Sequence, residues 1–248
     1  MSIKAKQTIA ILTATRNAAR HVCNLANSLR EQTDQNFSWI VIDGRSEDDT
    51  VKLLEQMELP QLDIHVVEDF GIYDALNKAI LISPADYYVV AGSDDLFHPK
   101  AVEIFKSSVE HEAADIYAFH VLKDGVAVAP RNRPLWWSGH KSIIAEHAVG
   151  SLIKRDLHRV FGLYSNRYPI AADHDFVIKV FLGGAKHKKI PIVAGVYGTG
   201  GLSATDSIGA LLESFRIQLG WDSKLRQYLL LVIRLGLKLF SGAIKSDA

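Results

Sequence analysis

Asp94 and Asp95 stand side by side after an apolar run, Tyr87 to Ala91, and a Gly92-Ser93 break. Adjacent carboxylates repel, so the pair needs a cation, hydrogen-bond donors or solvent. Hard oxygen ligands suit Mg²⁺ or Mn²⁺, which commonly bridge protein carboxylates to substrate phosphates. An Asp-Asp pair also occurs in plain turns and caps, so its weight comes from its surroundings. Three earlier apolar runs end the same way. Thr13, Thr15, Arg16 and Asn17 follow the first, Asp43, Arg45 and Ser46 the second, and Glu68 and Asp69 the third. This set suits a nucleotide: an aspartate accepts from a ring N–H or a ribose hydroxyl, and a metal holds a diphosphate. Each residue alone is equally suited to capping a helix or shaping a turn. The chain has neither G-x-G-x-x-G nor a Walker A sequence. Diphosphate charge therefore falls to a metal or to basic side chains.

The elements that must position these groups follow from periodicity. Strands are expected at Thr8 to Thr13, Trp39 to Ile42, Ile64 to Val67 and Tyr87 to Ala91. Helical spacing covers Asn17 to Gln32, Asp49 to Met57 and Asp74 to Ile82. Alternation of this kind makes βαβ units, a mostly parallel sheet and strand ends that converge on one edge, where open α/β sheets bind ligands. After Asp95 the rhythm changes. Pro99 to His111 reads as a helix, and Ile116 to Leu122 with Val126 to Ala129 as a hairpin around Asp124-Gly125. A polar and aromatic loop, a shorter strand-helix-strand stretch from Ala148 to Val196 and a helical tail from Ser207 complete the chain.

Composition narrows the class. With 248 residues, 48% of them hydrophobic, the chain can bury a real core. Acids and bases balance at 28 each, which argues against a nucleic-acid binder held by bulk charge. Cys23 is the only cysteine, so there is no internal disulfide and no cysteine-based zinc site, as befits a reducing cytosol. The N-terminus has no signal-peptide apolar region, and no apolar run reaches the roughly 18 residues of a spanning helix. The expected location is cytoplasmic.

Taken together, Ile11 to Asn17, the run IVIDGRSEDDT from Ile40 to Thr50, EDFGIYDALNKAI from Glu68 to Ile80, and GSDD resemble the family 2 glycosyltransferases, through about residue 205. The subgroup most resembled is the bacterial exopolysaccharide, colanic-acid and O-antigen type. The resemblance implies the GT-A fold, α/β with a Rossmann-like central sheet flanked by helices. It implies a donor half, residues 1–95, and an acceptor half, residues 96–206. It also implies an inverting, metal-dependent transfer from a nucleotide sugar, by default a UDP-sugar, to a saccharide or lipid-linked acceptor. On the matching positions, Asp43 contacts the base, Asp94 faces donor sugar or ribose, and Asp95 holds Mn²⁺ or Mg²⁺. The usual acidic motif is Asp-x-Asp, and its first position here is Ser93. Thr13, Thr15, Asn17, Asp69, Asp74 and Lys78 fall beside the donor. Asp74, Asn77 and Lys78 have spacing that can share one helix face.

In the second half Asp173 matches the family's catalytic acid. As a general base it would take the acceptor's proton; as a plain N-cap it would only start a helix. Asp175 is its competitor. His147 and Trp137 are the acceptor-side candidates, although each also suits a packed core. Gly200-Gly201-Leu202-Ser203 resembles a loop that closes over the diphosphate. In the tail, residues 207–248, Arg234, Lys238 and Lys245 recur at helical steps beside Leu229, Leu230, Ile233, Leu237 and Phe240. That pattern makes a basic amphipathic helix over 227–245, suited to a peripheral membrane contact or to the interface of a homodimer. Two rival readings remain: a nucleotide-sugar-binding scaffold without turnover, and a nucleotidyltransferase. The latter wants a glycine-rich triphosphate loop, and Thr13 to Arg20 contains no glycine.

Overall fold

The computed structural model describes residues 7–198, 200 and 205–246, with side chains through residue 238. Its first half alternates as expected: β1 (Ile9–Thr15), α1 (Val22–Arg30), β2 (Ser38–Asp43), α2 (Thr50–Glu55), β3 (Leu62–Val66), α3 (Ile72–Ile82) and β4 (Tyr87–Val90). The second half runs β5 (Leu96–Phe97), α4 (Ala101–His111), β6 (Ile116–Lys123), β7 (Val126–Val128), α5 (Leu135–Ser138), β8 (Ser151–Lys154), α6 (Leu157–Phe161), α7 (Ala172–Leu182) and β9 (His187–Val196). Two tail helices follow, α8 (Ser207–Gln218) and α9 (Lys224–Ser246).

The strands form one sheet in the order β3-β2-β1-β4-β8-β6-β9-β5, with β7 paired to β6. β3, β2, β1 and β4 are mutually parallel, β8 runs against β4 and β6, and β9 runs parallel to β6. Both faces are covered, so the inner strands are apolar on both sides. Ile9 and Ile11 pack with α1 and α4 through Leu25, Leu29, Val102 and Phe105. Their neighbours Ala10 and Leu12 pack with α3 and α7 through Leu76, Ile80, Phe176 and Val177. This two-residue alternation assigns each side of the strand its own helical layer. The expected α/β class and central sheet are present.

Several boundaries differ for physical reasons. The first helix begins at Val22, not Asn17. Asn17 has φ +53°, and the amides of Asn17, Ala18 and Ala19 donate to Ser46 Oγ, Thr50 Oγ1 and Asp48 Oδ2. Side chains of the β2–α2 loop thus take the donors that a helical turn would use. α3 begins at Ile72 rather than Asp74, because the Asp74 carboxylate accepts the Phe70 amide and caps the entry. The hairpin turn is as expected: Asp124 and Gly125 have φ +50° and +76°, the pair of positive values a two-residue turn of type I′ requires. β9 carries Pro191 inside a register shift opposite Phe119 and His120, where the missing amide leaves no ladder bond unmade.

Candidate active site

Only residues 91–95 separate β4 from β5, and β5 pairs with the far end of β9. This short link brings the loop after β9 onto the acidic pair. The Gly198 amide donates to Asp95 Oδ1 at 2.8 Å, the Gly92 amide to Asp95 Oδ2 at 2.7 Å, and the Gly200 amide to Asp94 Oδ2 at 2.8 Å. A Cβ at Gly198 would fall 2.1 Å from Asp94 Cγ, so only glycine lets the loop approach this closely. Asp95 is fully buried, and burial pushes its carboxyl up to about 7, against the lowering effect of the two amides. Asp94 is partly exposed and faces a cavity of ≈ 660 Å³. His147 also lines that cavity, stacked on Tyr197 with ring centroids 4.5 Å apart. Its Nδ1 lies 3.5 Å from Asp95 Oδ1 without a hydrogen-bond partner, and burial lowers its pKa to about 4.

Among the described residues no group of three His, Cys, Asp or Glu side chains is placed to hold a metal ion. The donor set nevertheless fits a substrate-bridged divalent cation, which is held by one or two carboxylates and completed by phosphates and water. Asp94 and Asp95 supply the hard oxygens such an ion prefers.

The other expected donor-side residues do not line that cavity and bond to protein groups. Asp43 is fully buried and accepts from Thr15 Oγ1, the Ser46 amide and Ser46 Oγ at 2.8, 2.7 and 2.6 Å. Thr13 is buried and receives the Trp39 indole N–H at 3.0 Å. The Asn17 side chain accepts from the Glu47 amide. Asp69 accepts the Gly71 amide and lies against Gly44. Asp74 and Lys78 pair with each other at 2.7 Å, and Lys78 also donates to the Glu68 carbonyl. Asn77 does not share their face: it is buried and exchanges hydrogen bonds with the Tyr164 backbone.

Asp173 lies in the first turn of α7 and lines the cavity with Asp94, His147 and Trp137. It makes no cap. The Ile170 and Ala171 amides ahead of α7 donate instead to the Glu213 carboxylate from α8, at 3.0 and 2.9 Å. Tyr73 Oη of α3 donates to Asp173 Oδ1 at 2.7 Å, while Asp173 Oδ2 is 3.9 Å from His140 Nε2. Burial and the adjacent Asp173 charge push the Tyr73 phenol well above its ordinary range, so it remains a donor. Asp175 turns away and pairs with Lys179 one turn on.

The family model for "Glycosyl transferase family 2" matches residues 10–165, more than half of the chain. The chain belongs to this family. The transferase is 28% identical over 211 residues to the "PGL/p-HBAD biosynthesis glycosyltransferase" of Mycobacterium bovis (strain BCG / Pasteur 1173P2), covering 79% of this chain and 78% of that one. Its fold is similar to Staphylococcus aureus TarS 1-349 in complex with UDP-GlcNAc, with TM-score 0.69, 14% identity, and coverage of 90% and 70% of the two chains. It is also similar to the mannosyltransferase PcManGT from Pyrobaculum calidifontis in complex with GDP-Man and Mn²⁺, with TM-score 0.68, 17% identity, and coverage of 89% and 66%. Glucosyl-3-phosphoglycerate synthase from Mycobacterium tuberculosis, with Mn²⁺, UDP and glucosyl-3-phosphoglycerate, gives TM-score 0.63 at 13% identity over 86% and 81%.

Sequence reading missed four contributors. Tyr73 sits in the family-like stretch but carries no signal of its partner a hundred residues away. Glu213 is a lone acid on a helix. His140 and His174 are unremarkable in sequence yet stack in the cavity wall, ring centroids 4.3 Å apart. The tail also reaches this site through Gln218, Arg234, Leu237 and Lys238. Arg234 donates to Gln218 Oε1 and to the Trp137 carbonyl, and Lys238 to the Ser207 carbonyl. These two cations of the amphipathic pattern therefore face the protein, and the exposed side of α9 is apolar, through Leu225, Leu229, Val232 and Ile233. Gly201, Leu202 and Ser203, and the side chains of Phe240 and Lys245, lie outside the described residues.

Proposed function

We propose that this transferase is inverting and metal-dependent, and that it moves a sugar from a nucleotide sugar, by first choice a UDP-sugar, to a hydroxyl of a saccharide or lipid-linked acceptor in bacterial surface polysaccharide assembly. The observation that carries this reading is the shared cavity. Asp173, released from capping by Glu213 and oriented by Tyr73, opens on the same space as Asp94. Asp173 takes the proton of the acceptor hydroxyl as its oxygen attacks the anomeric carbon from the face opposite the diphosphate. The bond from that carbon to the diphosphate oxygen breaks, its electron pair leaves with the nucleoside diphosphate, and configuration inverts. Asp95 would hold Mn²⁺ or Mg²⁺, which neutralises charge on the leaving diphosphate when bound, and Asp94 would face the donor sugar or ribose. Asp43, Thr13, Thr15, Asn17, Asp69, Asp74 and Lys78 shape the donor end. The neighbours' names support donors of this class, because TarS and PcManGT are described with UDP-GlcNAc and GDP-Man, and the mycobacterial relative is named for PGL/p-HBAD biosynthesis. No helix among the described residues is long and apolar enough to cross a membrane. The exposed apolar side of α9 supports a peripheral contact instead.

A panel of UDP-, GDP- and dTDP-sugars with Mn²⁺, read by released nucleoside diphosphate, tests the reading. One donor should be turned over, and Asp95→Asn or chelator should remove most of that turnover. Full turnover in chelator, with metal content measured, would end the metal-dependent mechanism.

A further inference from the structure

Buried polar atoms without a hydrogen-bond partner are few in folded proteins, and each marks a missing ligand, a water or strain. Of eight such side-chain atoms among the described residues, five belong to residues lining the cavity: Ser138 Oγ, His140 Nδ1, His147 Nδ1 and both ring nitrogens of His174. His147 belongs with the acidic pair. The other three residues form a separate wall beside Asp173. His174 is 2% exposed, its ring leans on that of His140, and His140 Nε2 stands 3.9 Å from Asp173 Oδ2. Trp137 completes this wall.

The surrounding cations are already engaged by the protein. Arg131 forks onto Glu146 with two contacts of 2.9 Å, and Lys141 meets the same carboxylate at 3.0 Å. Arg234 is held by Gln218 and the Trp137 carbonyl. Burial holds both imidazoles neutral, His140 down to about 3 and His174 well below its ordinary value. A neutral imidazole offers one donor and one acceptor nitrogen, and a hydroxyl answers either. A carboxylate or phosphate could only accept.

We propose that His140 and His174 form the acceptor subsite, binding adjacent hydroxyls of a neutral pyranose ring that rests against Trp137 and presents its attacking hydroxyl to Asp173. This rests on the transfer reading above. A site that hydrogen-bonds a sugar hydroxyl through buried groups discriminates strongly against rings lacking it, because those groups are then left unpaired.

The test is direct binding, which needs no catalysis. Methyl pyranosides of glucose, galactose, mannose, rhamnose, N-acetylglucosamine and glucuronic acid are titrated into the full chain with UDP and Mn²⁺ present. Affinity is read by saturation-transfer NMR, and the histidine ring nitrogens by long-range ¹H–¹⁵N spectra. At least one neutral glycoside should bind and shift the ring resonances of His140 and His174. His140→Phe and His174→Phe keep ring packing and remove the nitrogens; each should weaken that glycoside about tenfold or more. If a variant does not fold by thermal melting, monodeoxy forms of the bound glycoside on the wild-type chain give the same reading, with tenfold loss expected for the hydroxyls facing the pair.

Unchanged affinity in both folded variants, no binding by any neutral glycoside, or clearly tighter binding of the glucuronide would overturn the assignment. The donor panel separates the two failures. Donor turnover with histidine-independent glycoside binding leaves the transfer reading standing and removes the subsite. Histidine-dependent glycoside binding without turnover of any donor keeps the subsite and removes the transfer reading.

Discussion

The two halves of the molecule treat their polar side chains in opposite ways. In the first half Asp43 holds three donors, Thr13 receives the Trp39 indole, and Asn17, Asp69, Asp74 and Lys78 all bind protein groups. In the second half Ser138, His140, His147 and His174 carry buried nitrogens or oxygens with no partner. The first set holds loops in place, and under the proposed function it offers the donor a surface already built. The second set has no partner within the protein, and the proposed acceptor ring would supply one. Satisfied networks cost stability when cut, whereas unsatisfied ones change binding with little effect on the fold.

The contrast is most severe at Asp173. Asparagine keeps its shape, and α7 is capped by Glu213 rather than by Asp173, so Asp173→Asn should melt close to wild type. It should lose about 10²–10⁴-fold in transfer, the usual contribution of a general base, with nucleoside diphosphate affinity retained. Asp175→Asn breaks only a contact to Lys179 and should stay active. Wild-type turnover by Asp173→Asn with a dead Asp175→Asn would exchange their roles.

Asp43→Ala should show the opposite profile. Removing a buried carboxylate leaves the Thr15 hydroxyl and the Ser46 amide without an acceptor, at a cost of about 1–3 kcal/mol in stability. Donor affinity should fall along with it. Calorimetry with UDP and a denaturant titration check both, and a variant as stable as wild type would show that this network is not structural.

These profiles explain what sequence could reveal. The parallel strands, their helices and the convergence of Asp43, Asp69 and Asp94 at strand ends follow from local periodicity, and the structure has them. The start of α1 was misplaced because the amides of residues 17–19 are taken by side chains some thirty positions on. Long-range pairs leave no local signature. Tyr73 with Asp173, Glu213 with the start of α7, and Arg234 with Trp137 each join segments far apart in the chain, so the cavity wall is only half legible in the sequence. Of its lining, the motifs single out His147, Trp137 and Asp173 and give no sign of His140, His174 or Gln218.

Tyr73→Phe probes the link between the halves, since Tyr73 stands on α3 and its acceptor on α7. Loss of this hydrogen bond to the Asp173 carboxylate should cut turnover roughly tenfold. Wild-type turnover by a folded Tyr73→Phe variant would mean that Tyr73 only packs against Tyr164.

The smallest effect on catalysis is expected on the outer side of α9. Its inner side packs on the cavity wall: Gln227 is fully buried and bonds the Trp136 carbonyl, Leu230 is buried, and Arg234 lines the cavity. Removing the tail before Gln227 would therefore damage the cavity wall, and point substitutions are the cleaner probe. Leu229 and Val232 are 59% and 70% exposed, so Leu229→Glu with Val232→Glu should leave melting and donor turnover unchanged. The wild-type chain should sediment with phosphatidylcholine vesicles through this apolar strip. Because Arg234 and Lys238 point inward, that binding should depend only weakly on salt and on anionic lipid. The double variant should lose it. Vesicle binding that falls steeply with salt would place the contact on another, basic surface. If the full chain binds no vesicles and sediments as a dimer, while the double variant is a monomer, the strip is a subunit interface.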